Sequence, residues 1–343
     1  FKIAAMKSAQ DFVDEEYKKN PEEAMQLYDG KAVEEVIPLI VKSRAADGLA
    51  RILSNRDESL KGRHKHIHKF QESNYLLRKE AFDLLETFIS TNLEIGTEVI
   101  TQSKEGTQPD FKATALIRNH SRACLITEEI INLLKSGFPD AALSRWRALH
   151  EISAIVFVIT TNDQQCAERY LDHGIIDYYK GLVLTKDLKH ESDDQISLTG
   201  KIDHYKQLYD QLLSKYGEHY KNPFGWASEV LEHKNPQFTD IEKYSRLSHM
   251  RPQYKQASYN IHAGPNGFVS ALGSLQLDEN IMLRAPSHQG IEGPAVLSCY
   301  SLGIITAALL NLYPSINNMI SAELLNGLSD KVTKAFEVSI PTS

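Results

Sequence analysis

The sequence predicts an all-α fold, a multi-helix bundle with an N-terminal helical extension. Three observations predict it. Apolar residues return every three or four positions in segment after segment. No stretch alternates apolar and polar residues with β-branched enrichment and hairpin turns. Glycine and proline together stay under a tenth of the 343 residues, which excludes a collagen-like or low-complexity chain.

Residues 33–53 carry Val33, Val36, Ile37, Ile40 and Val41 at helical spacing, with Pro38 positioned to kink that helix or delay its start. Residues 72–100 keep the same period through Tyr75, Leu76, Phe82, Leu85, Phe88, Ile89 and Leu93. Helices follow over 113–134 and 140–160, the second capped by Asp140 after Pro139, then over 164–184 and 201–216. Residues 222–235, rich in Pro, Gly and Trp, are irregular. Helix resumes over 240–262, divided where Pro252 begins a new first turn. Residues 292–313 and 321–336 close the chain. The loop 103–109 (SKEGTQP) marks a boundary between an N-terminal helical region, 1–105, and a main bundle, 106–343.

Residues 295–313 are apolar over about one bilayer thickness, and no charge occurs from Gly293 to Ala322. No Lys or Arg lies between Arg284 and Lys331 to anchor a span, and Ser298, Ser301, Thr306 and Asn311 interrupt the run. The expectation is a central bundle helix rather than a membrane span.

The net charge of −7 excludes a protein that coats nucleic acid by bulk electrostatics and leaves room for local clusters. One such cluster is 61–69 (KGRHKHIHK), read as a solvated helix start. Cys124, Cys166 and Cys299 are widely spaced with no C-x-x-C pair, as in a reducing cytoplasm, where the protein is expected. Phe1 to Gln10 show no secretion signal. Phosphate-binding glycine loops, H-E-x-x-H and G-x-S-x-G are absent, and so are paired Glu-x-x-His helices. No metal and no cofactor are expected.

Polar residues concentrate on three helices. Arg147 and Glu151, four apart, share a face just before the apolar run 152–159. They form either a register-fixing ion pair or part of a site. Arg251, Tyr254, Ser258 and His262 line one face of the helix that stops at Gly264 and Pro265. Arg169, Tyr170, His173 and Asp177 recur at helical spacing on a third, where Asp177 can orient His173. His288 follows Pro286 in a loop.

Arg145 followed five residues later by His150 on an all-α scaffold resembles the signature of HEPN-type ribonucleases. In such chemistry His acts as acid or base on a ribose 2′-hydroxyl and Arg stabilises the phosphorane. Positions five apart nevertheless sit about 140° apart on a helix. The ordered motifs Arg147-x-x-x-Glu151, Ala167-x-Arg169-Tyr170-x-x-His173 and Tyr254-x-x-x-Ser258-x-x-x-His262 also resemble a bacterial helical family, domain of unknown function 5677, over roughly 110–315. That resemblance implies a polar pocket built from these helices in stand-alone bacterial proteins, some near mobile or defence loci.

The leading functional expectation is a HEPN-like, metal-independent ribonuclease acting as a toxin or antiphage effector. Arg145, Arg147, His150, Glu151 and His262 would be catalytic. Arg169, Tyr170, His173, Arg251, Tyr254 and Ser258 would bind RNA or another ligand. The resemblance to HEPN enzymes implies a site formed across a dimer. The alternatives are a ligand-sensing module for a small anion or peptide, and a structural protein whose 72–100 helix dimerises or docks another chain.

Overall fold

The computed structural model describes residue 18 and residues 30–103, 110–188, 195–262, 264–274 and 285–339. The expectations for Phe1 to Gln10 and for residues 104–109 of the boundary loop lie outside the described residues, as do the side chains of Val33, Val36, Ile37, Pro38 and Ile40. The fold is all-α, with no strand among the described residues.

The chain divides into two compact units, Phe1–Phe70 and Gln71–Ser343. The first contains α1 (Gly30–Ser54) and most of α2 (Arg56–Leu77). The basic segment 61–69 is the middle of α2 rather than a helix start, with its charged and histidine side chains exposed. His66 Nδ1 lies 2.8 Å from the Gly62 carbonyl.

The second unit holds the rest of α2, then α3 (Lys79–Ser103), α4 (Phe111–Lys135), α5 (Pro139–Thr161), α6 (Gln164–Leu188), α7 (Gln195–Tyr216), α8 (Phe238–Tyr244), α9 (Arg251–Ile261), the short α10 (Asn266–Val269), α11 (Glu292–Leu310) and α12 (Ile316–Val338). The division therefore falls before α3, not after it. The reason is packing: Phe82, Leu85, Phe88 and Ile89 of α3 are fully buried, and α3 touches α4, α11 and α12.

The expected continuous helix 72–100 breaks at Arg78, whose N–H bonds to the Tyr75 carbonyl. The buried Arg78 guanidinium reaches Glu292 at 2.8 Å and the His288 carbonyl at 2.6 Å. Leu76 and Leu93 are exposed despite their spacing.

Local chemistry sets the helix ends around the site. Asp110 caps α4 by accepting the Ala113 N–H at 2.9 Å. Its C-terminus closes through Gly137, whose φ of 78° only glycine adopts readily, with Phe138 N–H bonded back to the Leu133 carbonyl. Pro139 then opens α5. Asp140 accepts the N–H groups of Leu272 and Gly273 and so ties the start of α5 to the chain after α10.

The apolar segment forms α11, which touches α3, α4, α5 and α12 and buries Ala295, Cys299, Leu302, Ile305 and Leu309. Its polar groups are bonded inside the bundle. Ser301 meets the Trp146 indole N–H at 3.0 Å, and Thr306 donates to Asn92 while lying 3.1 Å from His120 Nε2. Gly96 makes room for that imidazole, since a Cβ there would sit 2.5 Å from His120 Cε1. Burial lowers the His120 pKa to about 4 and pushes the neighbouring Cys124 thiol up to about 12.

Candidate functional site

The helix α5 carries Arg145, Trp146, Arg147, His150 and Glu151, and α8 and α9 both pack against it. Its side chains divide among three faces. Arg145 points to α4 and pairs with Glu129. His150 is fully enclosed, stacked on Trp146 at 5.2 Å and flanked by the rings of Phe238 and Tyr254. Arg147 and Glu151 lie half-buried at the surface of the α5–α9 seam. The 140° separation seen in the sequence thus holds in space: Arg145 and His150 do not meet, and no substrate reaches the His150 ring.

His150 Nε2 is 2.8 Å from Glu242 Oε1, a carboxylate that is itself buried on α8. Burial holds the imidazole pKa below its usual range and outweighs the opposing pull of Glu242. The neutral ring therefore donates its Nε2–H to Glu242. The second oxygen of Glu242 meets the Arg251 guanidinium of α9. One enclosed carboxylate thereby joins three helices, and the charge of Arg251 balances it. Among the described residues, His150 Nδ1 stays enclosed without a hydrogen-bond partner.

Tyr254 stands in front of this pair. Its hydroxyl donates to Glu151 Oε1 at 2.6 Å, and the Arg147 Nε–H donates to the same oxygen at 3.1 Å. Burial and the Glu151 charge raise the Tyr254 pKa to about 12, so the phenol keeps its proton. The guanidinium of Arg147 lies 4.7 Å from the Tyr254 ring centre and that of Arg251 lies 5.1 Å away. Burial opposes the charge on Arg147, and its contacts with Tyr254 and Glu151 more than restore it. Arg147 thus engages Glu151 and Tyr254, and Arg251 engages Glu242.

The remaining predicted residues lie elsewhere. Ser258 donates to the Tyr254 carbonyl one turn back. His262 follows α9 in extended conformation, exposed, with no hydrogen bond or ion pair from its side chain among the described residues. It does not join Glu151 or Tyr254.

Arg169, Tyr170 and His173 form a separate structural clamp on α6. Arg169 Nε donates to the Trp226 carbonyl at 3.0 Å, Nη1 to Glu229 at 2.9 Å, and Nη2 to Ser228 at 3.2 Å. The Tyr220 hydroxyl returns to the Arg169 carbonyl at 2.6 Å. His173 Nε2 lies 3.0 and 2.9 Å from the carbonyls of Tyr220 and Asn222, while Asp177 is only at 3.7 Å from Nδ1. Tyr170 pairs with Asn119. These residues pin the irregular segment 217–229 to α6. Gly225 allows the close approach, since a Cβ would fall 2.3 Å from the Tyr220 carbonyl oxygen.

Residues 113–280 match the model of a family of unknown function, DUF5677. This stretch belongs to that family. No curated protein and no solved structure matches the chain. The DUF5677 region ends well short of the 315 expected. It contains Arg147, His150, Glu151, Glu242, Arg251 and Tyr254, and it excludes α3, α11 and α12. Site and clamp thus lie within the matched stretch, while part of the core is built from flanking helices.

Sequence reading missed Glu242, the centre of the enclosed network. A single acidic residue next to Ile241 on a seven-residue helix carries no periodic signal, and its partners stand 92 residues before and nine after it. A weak trace existed: Glu242 falls on the apolar side of α8 with Phe238 and Ile241.

Proposed function

We propose that the protein is a ligand-recognition module that binds a small oxyanion, a carboxylate or phosphate, at the α5–α9 face. One observation carries this reading: two partly exposed guanidiniums, those of Arg147 and Arg251, lie against one tyrosine ring at this face. Planar guanidinium donors match carboxylate and phosphate oxygens two at a time. Glu151 holds Tyr254 and Arg147 in place, and the Glu242–His150 pair anchors Arg251 from behind. The enclosed thiols of Cys124, Cys166 and Cys299 are in keeping with a cytoplasmic setting.

A metal-independent ribonuclease, toxin or antiphage effector is the second reading. The accessible Glu151 carboxylate beside Arg147 supports it, with Glu151 as base and the two arginines as phosphorane stabilisers. It has no role for His150, which is enclosed, or for His262, which stands apart.

The test is thermal denaturation with inorganic phosphate, citrate and adenosine monophosphate, alongside an RNA cleavage assay. At least one anion raises the melting temperature, and Arg147→Ala abolishes the rise while leaving far-UV circular dichroism unchanged. If no anion moves the transition, or the shift survives Arg147→Ala, the recognition reading fails. RNA cleavage that disappears in Glu151→Gln replaces it with the nuclease reading.

A further inference from the structure

The C-terminal helix α12 buries Asn318, Leu325, Val332 and Phe336 on one face. Its opposite face is open, with Ile316 77 % and Val338 86 % exposed and Met319, Ile320 and Leu324 exposed between them. That outer face is organised about Gly327. Glu323 stands four residues before it and Lys331 four after; Ile320 stands seven before and Lys334 seven after; Ile316 stands eleven before and Val338 eleven after. Steps of four, seven and eleven residues all return to one side of an α-helix.

Gly327 itself has no internal reason to be glycine. It lies within the helix, and a Cβ there would meet nothing within 4 Å. Glycine in a helix interior is destabilising relative to alanine. A close approach by another helix is what its missing side chain permits.

We propose that α12 pairs antiparallel with the α12 of a second copy of this chain, crossing at Gly327. Two-fold symmetry makes residue i face j and j face i. Glu323 then faces the partner's Lys331, Ile316 faces the partner's Val338, and Ile320 lies along the aliphatic stem of the partner's Lys334. A parallel pairing would set Glu323 against Glu323 and Lys331 against Lys331, so the charges select the antiparallel arrangement. The pattern is self-complementary, which is why a second copy fits it rather than an unrelated helix. This replaces the expected dimer helix 72–100, whose apolar face is taken up by α4, α11 and α12.

The experiment is sedimentation equilibrium on the full chain. A monomer–dimer equilibrium is expected. Glu323→Lys weakens it about tenfold or more, and Glu323→Lys with Lys331→Glu restores it. Gly327→Cys forms a disulfide-linked dimer under mild oxidation, and Met319→Cys does not, because only position 327 lies on the two-fold axis. All four positions are exposed, and circular dichroism verifies that each variant is folded. A chain that stays monomeric, a dimer indifferent to Glu323→Lys, a double variant that does not recover, or equal cross-linking at 327 and 319 overturns the proposal. Because α12 lies outside the matched region 113–280, either result leaves the anion-binding reading untouched.

Discussion

Arg169 and Arg147 stand on consecutive helices of one bundle, and their guanidiniums are used in opposite ways. Around Arg169 every part of the fork is engaged: two carbonyls, a carboxylate and a hydroxyl surround it, and Tyr216 covers its face at 4.8 Å. Around Arg147 the Nε–H goes to Glu151, Tyr254 is its other partner, and a quarter of the side chain is exposed. The first arrangement holds an irregular segment in place. The second sets two cations against one aromatic ring at a partly exposed seam. Both arginines belong to motifs of similar appearance, so residue type and spacing do not separate a clamp from a site. The engagement of donors does.

The largest expected effect breaks the clamp. Arg169→Ala takes the side-chain donor from the buried Trp226 carbonyl and the cation from Glu229, and we expect a loss of about 3–5 kcal/mol in urea denaturation. A loss below about 1 kcal/mol would show that the 217–229 segment does not depend on Arg169.

A second measurement addresses the enclosed histidines. The folded His120 pKa of about 4 lies below its ordinary value of 6.5. The unfolded chain therefore takes up a proton as pH falls through 6.5 while the folded chain does not until about 4. Stability is complete above 6.5 and falls as pH drops through that window. From pH 7 to pH 5, His120 alone contributes a loss of about 2 kcal/mol. His150 and His173, both lowered by burial, act in the same direction. His120→Gln should flatten this slope, and a variant with the wild-type slope assigns it elsewhere.

The smallest effect concerns the open face. Arg147→Ala removes a half-buried i,i+4 pair, and we expect at most about 1 kcal/mol of lost stability. If it unfolds the protein as Arg169→Ala does, the distinction between clamp and site collapses.

Part of the candidate site is legible in the sequence. Spacing on two helices singles out Arg147, Glu151, Arg251 and Tyr254, and the structure brings them together. Within a helix the 3.6-residue period decides which side chains share a face, and this holds wherever the helix goes. Glu242 was not legible because its partners come from other helices. The enclosure of His150 is not legible for a related reason: its spacing to Arg145 says nothing of what covers it, and Phe238, Tyr254 and Trp146 cover it. His262 keeps the period of Tyr254 and Ser258 but falls one residue past the end of α9, where its backbone leaves the helix.

The sequence by itself determined the helices and the apolar stripe that became α11. These follow from dihedral preference, capping and periodicity, which act over a few residues. Only the tertiary structure decided that α3 belongs with the bundle, that Arg169 is a clamp, and that Arg147 and Arg251 flank one ring. Whether a polar group is engaged, enclosed or open depends on which helix packs against it, and that is a property of the assembled bundle rather than of any segment.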